Sequence, residues 1–232
     1  MRATNLEAHI NKAVEIRAAA EPRRKYLGIS GWGKACQRSM WYSFNGYPEK
    51  VRPARMKTIV DMGHDGEERA IAILVLAGFT FRGNPINADE QIEIVDLGGD
   101  IKGHLDGLIE SGPALDDITY PALWENKFKG NKYWNAIKKH GVEKAEHVYW
   151  IQLHSYMAYC GLKSALFTAF NRDSGELYAE VVQANPALAS EYQERAVAVI
   201  DAKHPDELAR VANDPTNWQC SFCDFKDICY AG

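Results

Sequence analysis

The sequence predicts an α/β fold, with helices first, then a central mixed sheet flanked by helices, then a cysteine-bearing tail. Two observations predict it. Apolar residues keep a helical period up to Ala77, and a period of two with Gly, Asn, Pro and Asp turns then runs from Phe79 to Phe128. Beyond Phe128 helical and strand-like stretches alternate, the order expected of a mixed α/β layer structure.

Taken in order, Thr4-x-x-Glu7 is a capping-box pattern that opens a helix running to about Ala20. Ser30 is placed to cap a second helix carrying Cys36, Met40, Trp41 and Phe44. After the Pro48–Pro53 loop, a long helix is expected from about Ala54 to Ala77, ended by Gly78. Phe79–Arg82, Gln91–Val95, Ile101–Ile109 and Ala122–Phe128 read as short strands, the last starting late because Pro121 precedes it. Helical pattern returns over Tyr133–His140 and Ala145–Cys160. Strands Ser164–Asn171 and Leu177–Gln183 follow, around the turn at Arg172-Asp173-Ser174-Gly175. A helix from about Pro186 to Lys203 leads into the tail. The expected organisation is one domain over 1–232, with an N-terminal helical part (1–53), a core (54–203) and a cysteine tail (204–232).

Composition narrows the class. Of 232 residues, 46% are hydrophobic and 25% charged, which excludes a disordered chain. No stretch approaches the roughly 20 apolar residues of a membrane helix, and the first 20 residues lack a signal-peptide core, so a cytoplasmic protein with no membrane partner is expected. The net charge of −4 conceals a strong asymmetry. Glu21–Lys57 carries nine Lys/Arg and two acids, and Lys127–Lys144 six Lys and one acid. Asp61–Glu125 between them holds fourteen acids against three bases. Basic blocks around an acidic one suit a phosphate-binding surface beside a carboxylate site, although solvated surface would show the same counts.

The five cysteines are unevenly spread. Cys220-x2-Cys223-x5-Cys229 closes the sequence, Cys36 stands far upstream, and Cys160 falls at the end of an apolar helix where core packing explains it. In a cytoplasmic chain a thiolate metal site is the natural reading of the other four. Tetrathiolate sites hold Zn²⁺ or an iron–sulfur cluster, and spacing alone leaves both open. With every position a cysteine, the site reads as a structural staple.

Four motifs carry candidate chemistry: Gly63-His64-Asp65-Gly66-Glu67-Glu68 on the long helix, Ile101-Lys102-Gly103-His104-Leu105-Asp106-Gly107-Leu108-Ile109 as a strand with an acid among apolar neighbours, Leu123-Trp124-Glu125-Asn126-Lys127-Phe128 on a strand, and Gln152-Leu153-His154-Ser155-Tyr156 on a late helix. Alternation puts Glu125 and Lys127 on one strand face and Trp124 and Asn126 on the other. Carboxylates suit Mg²⁺ or Mn²⁺, and a neighbouring lysine stabilises charge on a phosphate or orients water, which fits phosphodiester hydrolysis. A same-face salt bridge would give the same spacing. Gln152 and Tyr156, at i and i+4, share one helix face. His104 and His154 read as supporting residues.

The order of these motifs, bracketed by Cys36 and the Cys220/Cys223/Cys229 trio, resembles the PD-(D/E)xK nucleases of the RecB-like branch. Within it the chain is similar to the iron–sulfur exonucleases of CRISPR adaptation (the fourth Cas family) and to AddB-type nuclease domains, over about Cys36–Cys229. The resemblance implies a restriction-endonuclease-like core. It also implies metal binding by His64, Asp106 and Glu125, a catalytic Lys127, and Gln152 and Tyr156 as site-ordering or DNA-contacting residues. Glu67 or Glu68 would approach the metal from the next turn. It implies a [4Fe–4S] cluster on Cys36, Cys220, Cys223 and Cys229, joining the N-terminal helices to the tail.

The function so implied is a Mg²⁺- or Mn²⁺-dependent DNA exonuclease acting on single-stranded DNA or DNA ends in recombination, repair, phage DNA processing or CRISPR spacer acquisition. Partners would be DNA, recombination or CRISPR-adaptation proteins, or a second copy of the chain. The basic blocks would grip the backbone, with Trp41, Tyr42, Tyr133 and Trp134 stacking bases. The rival is a DNA-binding accessory module whose cluster only staples the fold. A zinc-stapled protein with no nucleic-acid role is the third reading.

Overall fold

The computed structural model describes residues 5–83 and 90–231. Thr4 of the expected capping box lies outside them. Helix α1 (Leu6–Ala20) starts at Asn5 with no side-chain cap bond and buries none of its residues. Strand β1 (Leu27–Gly28) follows. Ser30 caps no helix. It sits within a 3₁₀ turn (Ile29–Gly31), and α2 (Gln37–Phe44) starts later, with Cys36 at its N-cap. The reason is packing: a Cβ on Gly33 would lie 2.7 Å from the Val148 Cα, so the chain here runs against another backbone and is not free to coil.

Helix α3 (Ala54–Leu76) ends as expected, with Gly78 at φ 93° just beyond it. The strands form two sheets. β1, β4 (Ile101–His104) and β3 (Glu93–Asp96) make a small one. β2 (Thr80–Phe81), β5 (Gly107–Ser111), β6 (Ala122–Lys129), β7 (Ser164–Asn171) and β8 (Leu177–Gln183) make the main one in that order. β6 and β7 are parallel and their sheet neighbours antiparallel, so the main sheet is mixed. The parallel pair is connected through α4 (Asn131–Ala145, kinked at Gly141) and α5 (His147–Cys160), as a parallel crossover requires. α6 (Pro186–Asp201) starts at Asn185, whose side chain accepts from the Leu188 N–H, and packs on α5. The tail ends in two single turns, α7 (Trp218–Ser221) and α8 (Lys226–Cys229).

One correction positions the site. The expected single strand Ile101–Ile109 breaks at Leu105-Asp106, and its two halves belong to different sheets. The break has a local cause. The Asn126 N–H on β6 donates to Asp106 Oδ2 at 2.9 Å, so a carboxylate takes the place of a backbone ladder partner. Glycines make room around it: a Cβ on Gly103 would lie 2.6 Å from the Tyr156 ring.

The main core lies between β6–β7 and α4, α5 and α6, with Trp134, Ile137, Ile151, Leu153 and Phe167 at 0–1% exposure. A second cluster under α3 holds Trp124, Leu166 and Phe170 on the opposite sheet face. No helix among the described residues is long and apolar enough to cross a membrane.

Candidate active site and cysteine cavity

Glu125 and Lys127 share a face of β6, and α5 closes over that face. Glu125 is wholly buried. Its Oε1 accepts from Gln152 Nε2 at 2.8 Å and pairs with the Lys127 ammonium. Its Oε2 is buried with no hydrogen-bond partner. Lys127 reaches Asp106 Oδ2 at 3.4 Å and donates to the Asn126 carbonyl at 2.8 Å. Tyr156 is 1% exposed and lies near enough to feel the charges of Glu125 and Asp106. The structure thus brings together Asp106, Glu125, Lys127, Gln152 and Tyr156.

The electrostatics follow from crowding like charges in a dry site. Burial, then the neighbouring Asp106, push the Glu125 carboxyl up to about 8 despite Lys127. Burial opposes the charge on Lys127, but Asp106 and Glu125 outweigh it and hold the ammonium protonated. Burial and Asp106 push Glu67 up to about 7, with Lys127 opposing. Glu67 therefore faces the same pocket from α3. The surplus of acid over base here is what a cation would neutralise.

His64 does not join this group. Its side chain is 70% exposed, with Nδ1 3.6 Å from Glu67 Oε1. Three residues on a helix turn about 300°, so His64 lies about 60° around α3 from Glu67, on the solvent side. The sequence left Glu67 and Glu68 open as helpers, and the fold turns Glu67 inward while Glu68 stays exposed. Among the described residues, no three His, Cys, Asp or Glu side chains converge as they stand into a set that would hold a metal ion. The chemistry of the donors still fits one, because Glu125 Oε2 is a buried, unpartnered carboxyl oxygen that a cation would hold in its charged form, and the Asp106 carboxylate lies within the same Lys127 contact.

Tyr149 was not singled out from sequence. It lies one turn before Gln152 on the same face of α5, and the i, i+3 spacing to a candidate site residue was the available signal. Its ring centroid stands 5.2 Å from the Lys127 ammonium and 4.6 Å from that of Lys129. His104 is an outer residue paired with Glu93 at 3.5 Å. His154 is 1% exposed, and its Nδ1 accepts from the Asn185 N–H.

Other expectations for DNA contact are corrected. Trp41, Tyr42 and Trp134 are buried, so none offers a face to a base. Trp41 donates to the Ala202 carbonyl and Trp134 to the Ala169 carbonyl. Much of the N-terminal basic block is engaged internally. Arg23 donates to the Gly46 and Tyr47 carbonyls, Arg38 pairs with Asp206 and donates to Leu208, Lys50 donates to Cys223, and Lys57 pairs with Glu21 and Asp61.

Cys36, Cys220, Cys223 and Cys229 line one cavity of about 370 Å³ beside Tyr42, Arg210 and Phe225. Burial raises the Cys223 thiol, and Cys36 and Cys220 add to the rise, so upstream and tail cysteines face each other. Cys220 Sγ is 3.4 Å from Tyr230 Oη. Cys160 is a half-buried free thiol packed on the main core.

Solved structures share this fold. The alkaline exonuclease LHK-Exo from Laribacter hongkongensis matches with a TM-score of 0.52 at 16% identity, covering 77% of this chain and 87% of that one. LHK-Exo in complex with dAMP matches equally, at 0.52 and 18% identity over the same shares. SSO0001 covers 97% of this chain and 96% of its own, with a TM-score of 0.53 and 14% identity. At such identities the likeness is one of fold. No family model and no curated protein matches the sequence.

Proposed function

We propose that this chain is a divalent-metal-dependent deoxyribonuclease of the PD-(D/E)xK type, in the RecB-like branch, that hydrolyses phosphodiester bonds at DNA ends or in single-stranded DNA. One observation carries the reading: Glu125 Oε2, a buried carboxylate oxygen with no partner, beside Asp106 and Lys127. The fold shared with an alkaline exonuclease supports it. Asp106 and Glu125 would hold Mg²⁺ or Mn²⁺, with Glu67 taking the third place that the motif reading gave to His64. Bound there, the metal supplies charge stabilisation on the phosphate and an activated water. Lys127 holds its proton against burial and offers it to the developing negative charge. Gln152 fixes the Glu125 rotamer by its hydrogen bond, and Tyr156 fills the floor and excludes water.

The same reading includes a [4Fe–4S] cluster on Cys36, Cys220, Cys223 and Cys229. Four thiols line one cavity, and the resemblance to iron–sulfur nucleases is what favours a cluster over a zinc ion there.

The test is a time course on end-labelled single- and double-stranded DNA with Mn²⁺ or EDTA. Wild-type protein should shorten the DNA only with metal. Glu125→Ala and Lys127→Ala should each lose about 10³-fold or more in rate while keeping a folded spectrum. Wild-type cleavage by either variant overturns the assignment. DNA binding by the wild type without metal-dependent turnover would make the chain an accessory DNA-binding module.

A further inference from the structure

We propose that a single DNA strand leaves the carboxylate pocket along a lysine–tyrosine lane formed by Tyr149, Lys129, Tyr133 and Lys132. The inference rests on the nuclease reading and says where its substrate lies. Glu125, Lys127 and Lys129 share one face of β6 at successive alternate positions, so the lane starts at the site and runs outward along the strand. Tyr149 is the joint. Its ring stands against both ammonium groups, and its hydroxyl accepts from Lys129 Nζ at 2.7 Å.

Beyond Lys129 the chain turns at Gly130 into α4. Lys129 and Lys132 each lie 5.8 Å from the ring centroid of Tyr133, which is 57% exposed. Lys132 has no acidic partner within 4.0 Å among the described residues. The acids nearby are Glu146, 3.4 Å from Lys129, and Asp173, which accepts from the Asn131 N–H. A solvent-facing aromatic ring between two lysines is a composition that binds single strands, with cations on phosphates and the ring under a base. Here the exposed Tyr133 ring coincides with one cation, Lys132, that has no acidic partner among the described residues, while Lys129 is shared with Glu146 and Tyr149. In the N-terminal basic block Trp32, Trp41 and Tyr42 are buried, the more open Tyr26 and Tyr47 lie away from β6, and many of the cations are engaged by carbonyls and carboxylates.

The experiment measures binding of a fluorescein-labelled oligo(dT) by anisotropy, with full-length protein in EDTA so that no cleavage intervenes. Tyr133→Ala should weaken binding about 10-fold or more, and Tyr133→Phe should restore it, since the ring is what stacks. Lys132→Met should weaken binding and flatten the slope of log affinity against log salt by roughly 0.7. Lys163→Met, an exposed lysine outside the lane, should bind as wild type. Wild-type binding by both Tyr133→Ala and Lys132→Met overturns the lane even if cleavage is intact. Weakened binding in a protein that never cleaves DNA with metal supports the lane and overturns the nuclease reading.

Discussion

Glu125 lies on a central strand paired on both sides and is wholly buried, whereas Cys220 and Cys229 are carried by single helical turns in the tail and Cys223 by the link between them. Gln152 and Lys127 hold the Glu125 carboxylate in place, and the Asn126 backbone fixes Asp106. Around the cysteines, Trp218 and Phe222 stand 70% and 83% exposed, and the thiols surround a space. The first site is ordered by the sheet before anything binds. The second has little packed surface of its own, and on the proposed cluster reading a bound group would hold it, as in small metal-stapled segments. The carboxylate pocket should therefore fail by losing chemistry, and the cysteine tail by losing structure.

After the loss expected from changing Glu125 or Lys127, the next largest break in that comparison is at α3. Glu67→Gln should cost at least about 10- to 100-fold in metal-dependent cleavage with little change in melting temperature, and His64→Ala less than about threefold. The measurement is rate against Mn²⁺ concentration. The reverse order would return His64 to the ion and remove Glu67. Next comes the tail. Protein purified without oxygen should absorb near about 400 nm and carry about four irons per chain. Cys220→Ala should lose the iron and melt several degrees lower, because it unties the tail from α2. Stoichiometric zinc without iron, or an unchanged melting temperature, would contradict it.

The smallest effect tests the scaffold alone. Burial pulls the His154 imidazole from 6.5 down to about 4, so between these values the unfolded chain binds a proton that the folded one does not. The His154 contribution to stability is then fully present above pH 6.5 and is lost as pH drops towards 4. The raised Glu67 and Glu125 carboxyls act in the opposite direction over this window, so the effect is read as a difference: as pH falls from 6.5 towards 4, the melting temperature of wild type should fall relative to that of His154→Gln by a few degrees. Parallel profiles for the two proteins would mean that His154 is not held neutral.

Much of this was readable from residues. Strands Ser164–Asn171 and Leu177–Gln183 match to the residue, because turn residues bound each of them. Glu125 and Lys127 share a face by simple alternation. What was not readable depended on partners distant in sequence. The break at Asp106 needs the Asn126 N–H twenty positions on. Ser30 fails as a cap because α5 crowds the nearby backbone at Gly33. The choice between His64 and Glu67 depends on which way α3 is rolled against the sheet. Trp41, Tyr42 and Trp134 have aromatic surface that suits a base or a core equally, and only packing decides. Net charge likewise counts every arginine, including those whose donors are already occupied by carbonyls.

The carboxylate of Asp106 has two duties, since one oxygen receives both a backbone amide and the lysine ammonium where the two sheets part company. Reactivity and architecture are thereby fused at one atom. A lineage drifting at this position would forfeit both together, so a well-folded but inert descendant should have lost Lys127 or Glu125 first and kept Asp106 to the end.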